Sequence, residues 1–283
     1  MISDRYHYRV VEGWGRGPEG KEMGGVTPGV VTDSRDRVYM ARRDPPGILV
    51  YDREGRYLTT WGEDMLANPH GLWIDADDRI YCADIDDHTV RIFTTEGEVL
   101  QTLGTPNQIG GPGMPFNRPT KAMAAASGDI FVSDGYGQHR IHRFSADGEL
   151  ILSWGEEGTG PGQFALPHDL WIDPRDRVLV ADRENNRIQL FDFEGNFLDA
   201  WTDVQDPNDM YVDDDDVLYV SEAPLRVSVF DLDGKLLARW GEKGAAPGQF
   251  MEPVHGIWGD AHGDLYITEV PLEPNRFQKF TRT

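Results

Sequence analysis

Three histidines carry the strongest chemical signal in this chain. Pro69-His-Gly-Leu-Trp73, Pro167-His-Asp-Leu-Trp171 and Val254-His-Gly-Ile-Trp258 each set a histidine three residues ahead of a tryptophan. Three neutral imidazoles converging on one point would bind zinc at about 2.0 to 2.1 Å and leave a fourth position for substrate or water, the donor set of a catalytic rather than a structural site. Iron and manganese accept the same ligands. Such convergence requires a scaffold that brings together residues far apart in sequence.

That scaffold is an internal repeat. The segment Pro69-His-Gly-Leu-Trp-Ile-Asp75 is followed by Arg79-Ile-Tyr-Cys-Ala-Asp84, Val90-Arg-Ile-Phe93 and Glu96 to Gly104, and the same four-part pattern returns from Pro167, Pro207 and Pro253. Degenerate copies start near Thr27 and Pro119. Aligned on the His70 slot, the copies fall at Pro28, His70, Thr120, His168, Asn208 and His255, with spacings of 42, 50, 48, 40 and 47 residues. Each holds four short β-branched and aromatic runs separated by Asp-Gly turns such as Asp147-Gly148 and Asp233-Gly234. Four strands in every 40 to 50 residues predict an all-β, six-bladed β-propeller spanning 1–283 as one domain. The last copy stops after its third strand, Arg276-Phe-Gln-Lys-Phe280, and the chain starts with an unattached fourth strand, Tyr8 to Gly15. The N-terminal strand should therefore complete the last blade and remove an open edge.

In this frame the three histidines occupy one slot, at the start of the innermost strand, on the second, fourth and sixth copies. Alternate blades of a six-fold ring lie about 120° apart, so their side chains can meet on the axis. Val31, Met123 and Tyr211 replace the tryptophan in the other copies. The competing explanation is inheritance of a packing residue by related repeats. The loop after each second strand opens on the same face, and brings Arg43, Asp84 with Asp86, Tyr136, Arg183, Glu222 and Glu269 within reach of the slot. Two arginines suit a substrate with an anionic group held by a guanidinium fork, and a tyrosine beside a cation can accept a proton. Asp84, Asp134 and Asp182 are expected to cap turns. His7, His88, His139, His142 and His262 fall in outer strands or turns, where surface or supporting roles are expected.

The stretches Gly160-Pro-Gly-Gln-Phe164, Pro247-Gly-Gln-Phe250 and Val180-Ala-Asp-Arg-Glu-Asn-Asn-Arg-Ile-Gln189 resemble NHL repeats. Among NHL propellers, Val132-Ser-Asp-Gly-Tyr136 followed by Arg140-Ile141, Trp154-Gly-Glu-Glu157 leading to Pro167-His168, and Val180 to Asn185 are similar to peptidyl-α-hydroxyglycine α-amidating lyases (peptidylamidoglycolate lyases). The resemblance implies that His70, His168 and His255 are zinc ligands, that Tyr136 is the catalytic tyrosine, and that Arg183 and Arg43 are catalytic arginines, with Arg42 the alternative to Arg43. That family carries an aspartate directly after its third zinc histidine that serves a structural calcium. Here the place is Gly256, and Asp169 follows His168 instead, so the resemblance does not extend to calcium.

Composition narrows the function. With 27 basic against 49 acidic side chains, the formal charge of −22 opposes binding to nucleic acid or anionic lipid. The single cysteine excludes internal disulfides and cysteine-rich zinc modules. A cytoplasmic monomer acting on a small anionic molecule is expected, since a closed ring needs no partner. The expected activity is a zinc-dependent lyase that cleaves the C–N bond of a small carboxylated α-hydroxy-amine. A lactone- or ester-hydrolysing metalloenzyme and a non-catalytic binding scaffold are the alternatives.

Overall fold

The computed structural model describes residues 6–17, 25–270 and 276–283. They form six four-stranded sheets, five of them built from one repeat copy in chain order. The architecture is the six-bladed β-propeller anticipated from the repeats. The Tyr8–Val10 strand pairs with Arg276–Arg282, matching Tyr8 to Arg282 and Val10 to Phe280, so one sheet joins the two ends of the chain and closes the ring.

Two compact units divide the chain: residues 1–65 with 208–283, and residues 66–207. In the second unit the sheets begin with the strands Pro69–Ile74, Lys121–Ala124 and Pro167–Ile172. In the first they begin with Val30–Thr32, Pro207–Val212 and Val254–Gly259. Second strands such as Ile80–Asp84, Ile130–Asp134 and Val178–Asp182 are buried throughout, which fits their unbroken apolar runs. Fourth strands such as Phe197–Trp201 lie largely exposed.

An Asp-x-x-x-Arg sequence shapes several turns between first and second strands. Asp33, Asp75 and Asp173 each accept hydrogen bonds from the backbone N–H two and four residues on, and each also accepts from the arginine side chain at the latter position. An aspartate that satisfies its own turn competes with any continuation of the strand, so these hairpins are fixed locally. Among the described residues no helix is long and apolar enough to cross a membrane.

Candidate metal centre

The histidine slot coincides with a break in strand pairing. The ladder between first and second strands shifts register between Pro69 and Leu72, between Pro167 and Asp169, and between Val254 and Ile257. The corresponding ladders of Val30–Thr32 and Lys121–Ala124 run without a shift. A bulge frees one residue from the ladder and re-aims its side chain. The irregularity therefore sits where an imidazole is presented, and His70, His168 and His255 are all buried.

Backbone carbonyls set the orientation of two of these rings. His70 Nδ1 lies 2.8 Å from the Thr120 carbonyl oxygen, and His255 Nδ1 lies 2.7 Å from that of Pro28. A carbonyl oxygen only accepts, so each Nδ1 carries a proton, and Nε2 is the ring nitrogen left to take a metal. Thr120 and Pro28 occupy the histidine slot of the next copy around the ring. The copies without histidine thus supply the groups that aim the histidines.

Within residues 66–207, the His70 and His168 rings stand 4.8 Å apart, nearly edge to face. The Tyr136 hydroxyl lies between them, 3.2 Å from His70 Nε2 and 2.8 Å from His168 Nε2. His70, His168 and His255 are three buried histidines that each offer one ring nitrogen to a metal ion. Three buried imidazoles are the donor chemistry a divalent transition metal takes, so these three residues could hold one.

Backbone registration separates the two candidate arginines. Arg43 N–H donates to Val26 O at 2.9 Å, just as Arg183 N–H donates to Leu166 O at 2.9 Å and Ile85 N–H to Asn68 O at 3.0 Å. Arg43 and Arg183 therefore share a repeat position. Arg42 falls one residue earlier, buried, with its guanidinium on Pro45 O at 2.7 Å and Glu63 at 2.8 Å. Arg183 opens the Arg183–Asn185 3₁₀ turn, donates to Glu184, and places its guanidinium carbon 5.9 Å from the centre of the Tyr136 ring.

The position held by Arg42 is a capping position elsewhere. In the turn toward the third strand, Asp84 accepts from Asp87 N–H and Asp182 from the Asn185 and Arg187 side chains. Asp84 also accepts from Ala67 and Asn68 N–H, Asp134 from Asn117 N–H, and Asp182 from Ala165 N–H, so each caps the chain entering the first strand. Glu269 does the same for Met251 and Glu252 while pairing with Arg276, and Glu222 holds Arg226 and Ser228. These two glutamates hold neighbouring chain in place. Burial raises the Glu269 carboxyl above its usual range, against the lowering influence of the Met251 and Glu252 amides and of Arg276. His142 also departs from a surface placement, being fully buried between Asp134 at 3.2 Å and Ser153 at 2.6 Å.

A side chain after the third histidine would meet backbone. A Cβ on Gly256 would lie 2.8 Å from Pro28 O, and one on Gly71 would lie 2.3 Å from Thr120 O, the same carbonyls that hold His255 and His70. A calcium-binding aspartate at position 256 would have to displace that carbonyl. After His168 stands Asp169, paired at 3.3 Å with the ammonium of Lys121, both side chains almost wholly buried. The repeat pattern did not single out the Thr120 and Pro28 carbonyls, Lys121 or Arg118. Each lies within two residues of a histidine slot in a copy that lacks the histidine, and that adjacency was the available signal.

Comparison with known proteins agrees with the architecture. A family model described as a 6-bladed beta-propeller matches residues 120–221. NHL repeat-containing protein 3 of Homo sapiens is 33% identical over 214 residues, covering 70% of this chain and 61% of that protein. The chain thus spans about three fifths of that relative's length. Peptidyl-alpha-hydroxyglycine alpha-amidating lyase 1 of Drosophila melanogaster is 42% identical over 90 residues, covering 29% of this chain and 17% of that protein. Among solved structures, a gluconolactonase from Xanthomonas campestris superposes with a TM-score of 0.69 over 99% of this chain and 91% of its own, at 16% identity, a likeness of fold.

Proposed function

We propose that this six-bladed NHL-type β-propeller is a metal-dependent lyase that cleaves the C–N bond of a small carboxylated α-hydroxy-amine of the hydroxyglycine type. The observation that carries this reading is the Tyr136 hydroxyl lying between His70 Nε2 and His168 Nε2. A group able to take a proton thus stands within hydrogen-bond reach of the nitrogens that would hold a metal. The partial similarity to a named α-hydroxyglycine amidating lyase supports the same chemistry.

His70, His168 and His255 would hold the metal, zinc by preference for an all-imidazole set. When bound, it supplies Lewis-acid polarisation of the substrate hydroxyl. Tyr136, acting as its phenolate, accepts the hydroxyl proton, the O–H electron pair becomes the C=O bond, and the C–N bond breaks. The leaving nitrogen takes back one proton from Tyr136, so the products are an amide or amine and an oxo acid. Arg183 and Arg43 between them hold the substrate carboxylate and the developing charge, Arg183 standing beside Tyr136 as the carboxylate's partner.

The test pairs metal content with product chemistry. Elemental mass spectrometry should find about one metal per chain, lost in the triple variant His70→Ala, His168→Ala, His255→Ala. N-acetyl-α-hydroxyglycine should yield glyoxylate and acetamide without solvent ¹⁸O entering a new carboxylate. Isotope incorporation from an ester or lactone, with no turnover of the hemiaminal, would replace the lyase by a hydrolase.

A further inference from the structure

The segment from Thr105 to Arg118, whose path the repeat pattern leaves open, is tied at both ends to the loops around the site. Asn107 N–H donates to Asp87, and Asn117 N–H donates to Asp134. Arg118 N–H donates to His88 Nδ1 at 3.2 Å, and its carbonyl accepts from Tyr136 N–H at 3.4 Å. The Arg118 guanidinium carbon then lies 5.8 Å from the centre of the Tyr136 ring, against 5.9 Å for Arg183. We propose that Arg118 and Arg183 form a two-armed clamp for a substrate carboxylate beside Tyr136, and that Arg118 determines specificity for the acid over its neutral analogues. This rests on the lyase reading of the same site.

Two features favour a clamp over a structural role. Both guanidiniums stand within cation–π range of one phenol ring, so they are at most about 12 Å apart and flank the group that would handle the proton. Their carboxylate partners are exposed. Asp86, on Arg118, and Glu184, on Arg183, each have 51% side-chain exposure. Arginines that brace the repeat instead hold fully buried carboxylates, as Arg177 holds Asp173 and Arg187 holds Asp182. An exposed ion pair is weak, so an incoming carboxylate can replace Asp86 or Glu184 at little cost. A guanidinium also presents a planar pair of donors that matches a carboxylate, which an ammonium cannot.

Isothermal titration of zinc-loaded protein with N-acetylglycine and with its methyl ester tests the clamp. The acid should bind at least tenfold more tightly than the ester. Arg118→Ala should remove most of that preference and Arg118→Lys should restore less than half of it, with metal content per chain unchanged in both. If Arg118→Ala keeps the full preference while Arg183→Ala loses it, the inference about Arg118 is overturned and the carboxylate site stands. If the wild-type protein binds acid and ester alike, or binds neither, the carboxylate reading of the proposed function falls together with the clamp.

Discussion

The Tyr136 hydroxyl sits 2.8 Å from His168 Nε2 and 3.2 Å from His70 Nε2, one phenolic oxygen shared by two ring nitrogens. His70 Nε2 is an acceptor, because its Nδ1 proton is committed to Thr120. Removing the hydroxyl takes away a proton acceptor but no metal ligand. Tyr136→Phe should therefore keep wild-type zinc content while kcat on N-acetyl-α-hydroxyglycine falls by about 10² to 10⁴. Steady-state kinetics beside elemental analysis checks this, and unchanged turnover would remove Tyr136 from the chemistry.

The Thr120 carbonyl accepts from both Gly71 N–H at 3.0 Å and His70 Nδ1 at 2.8 Å. A methyl on Gly71 would intrude to 2.3 Å from that oxygen. Gly71→Ala should thus destabilise the fold by about 1 to 3 kcal/mol through overpacking. It should also lower zinc affinity, because the displaced oxygen is the one that aims His70. Thermal melts and a chelator competition measure the two effects, and a loss of stability with wild-type zinc affinity would show that the carbonyl does not matter for the ring.

Much of this arrangement was legible in the residues. Six recurrences of a four-strand pattern required six blades, and the unpaired ends required the N-terminal strand to complete the last blade, as it does with Tyr8 opposite Arg282. The histidines stood out because they share a slot and a following tryptophan. What stayed hidden depended on backbone atoms, which every residue type carries. Nothing about Thr120 or Pro28 as side chains says that their carbonyls receive an imidazole N–H. Arg118 was hidden for another reason: it reaches Tyr136 by the path of a loop that no periodicity constrains. Glu222 and Glu269 share the loop position at which site residues are expected, and both are buried, Glu222 on the side chains of Arg226 and Ser228 and Glu269 on the Met251 and Glu252 N–H groups.

Lys121 and Asp169 form an ion pair with almost no solvent contact. Two charges so placed depend on each other, and removing one leaves the other desolvated. Lys121→Met should cost about 3 to 5 kcal/mol, while the double variant Lys121→Met, Asp169→Leu should regain most of that loss. Urea unfolding of the four members of the cycle decides it. Additive costs in the double variant would mean that the two charges are stabilised by other neighbours rather than by each other.

Cys82 offers a reading of metal binding that does not depend on turnover. It lies in the fully buried Ile80–Asp84 strand, and burial, followed by the nearby Asp84, pushes its thiol well above the ordinary range. The thiolate is the reactive form, so the native protein should react with a disulfide reagent only through molecules that open. A ligand that binds the folded state alone suppresses opening by a factor of one plus its concentration over its Kd. Zinc at a hundredfold excess over Kd should therefore slow Cys82 labelling by about a hundredfold, and the triple histidine variant should show no such protection. Equal slowing in that variant would place the bound zinc away from His70, His168 and His255, and would end the proposal that these three residues form the metal centre.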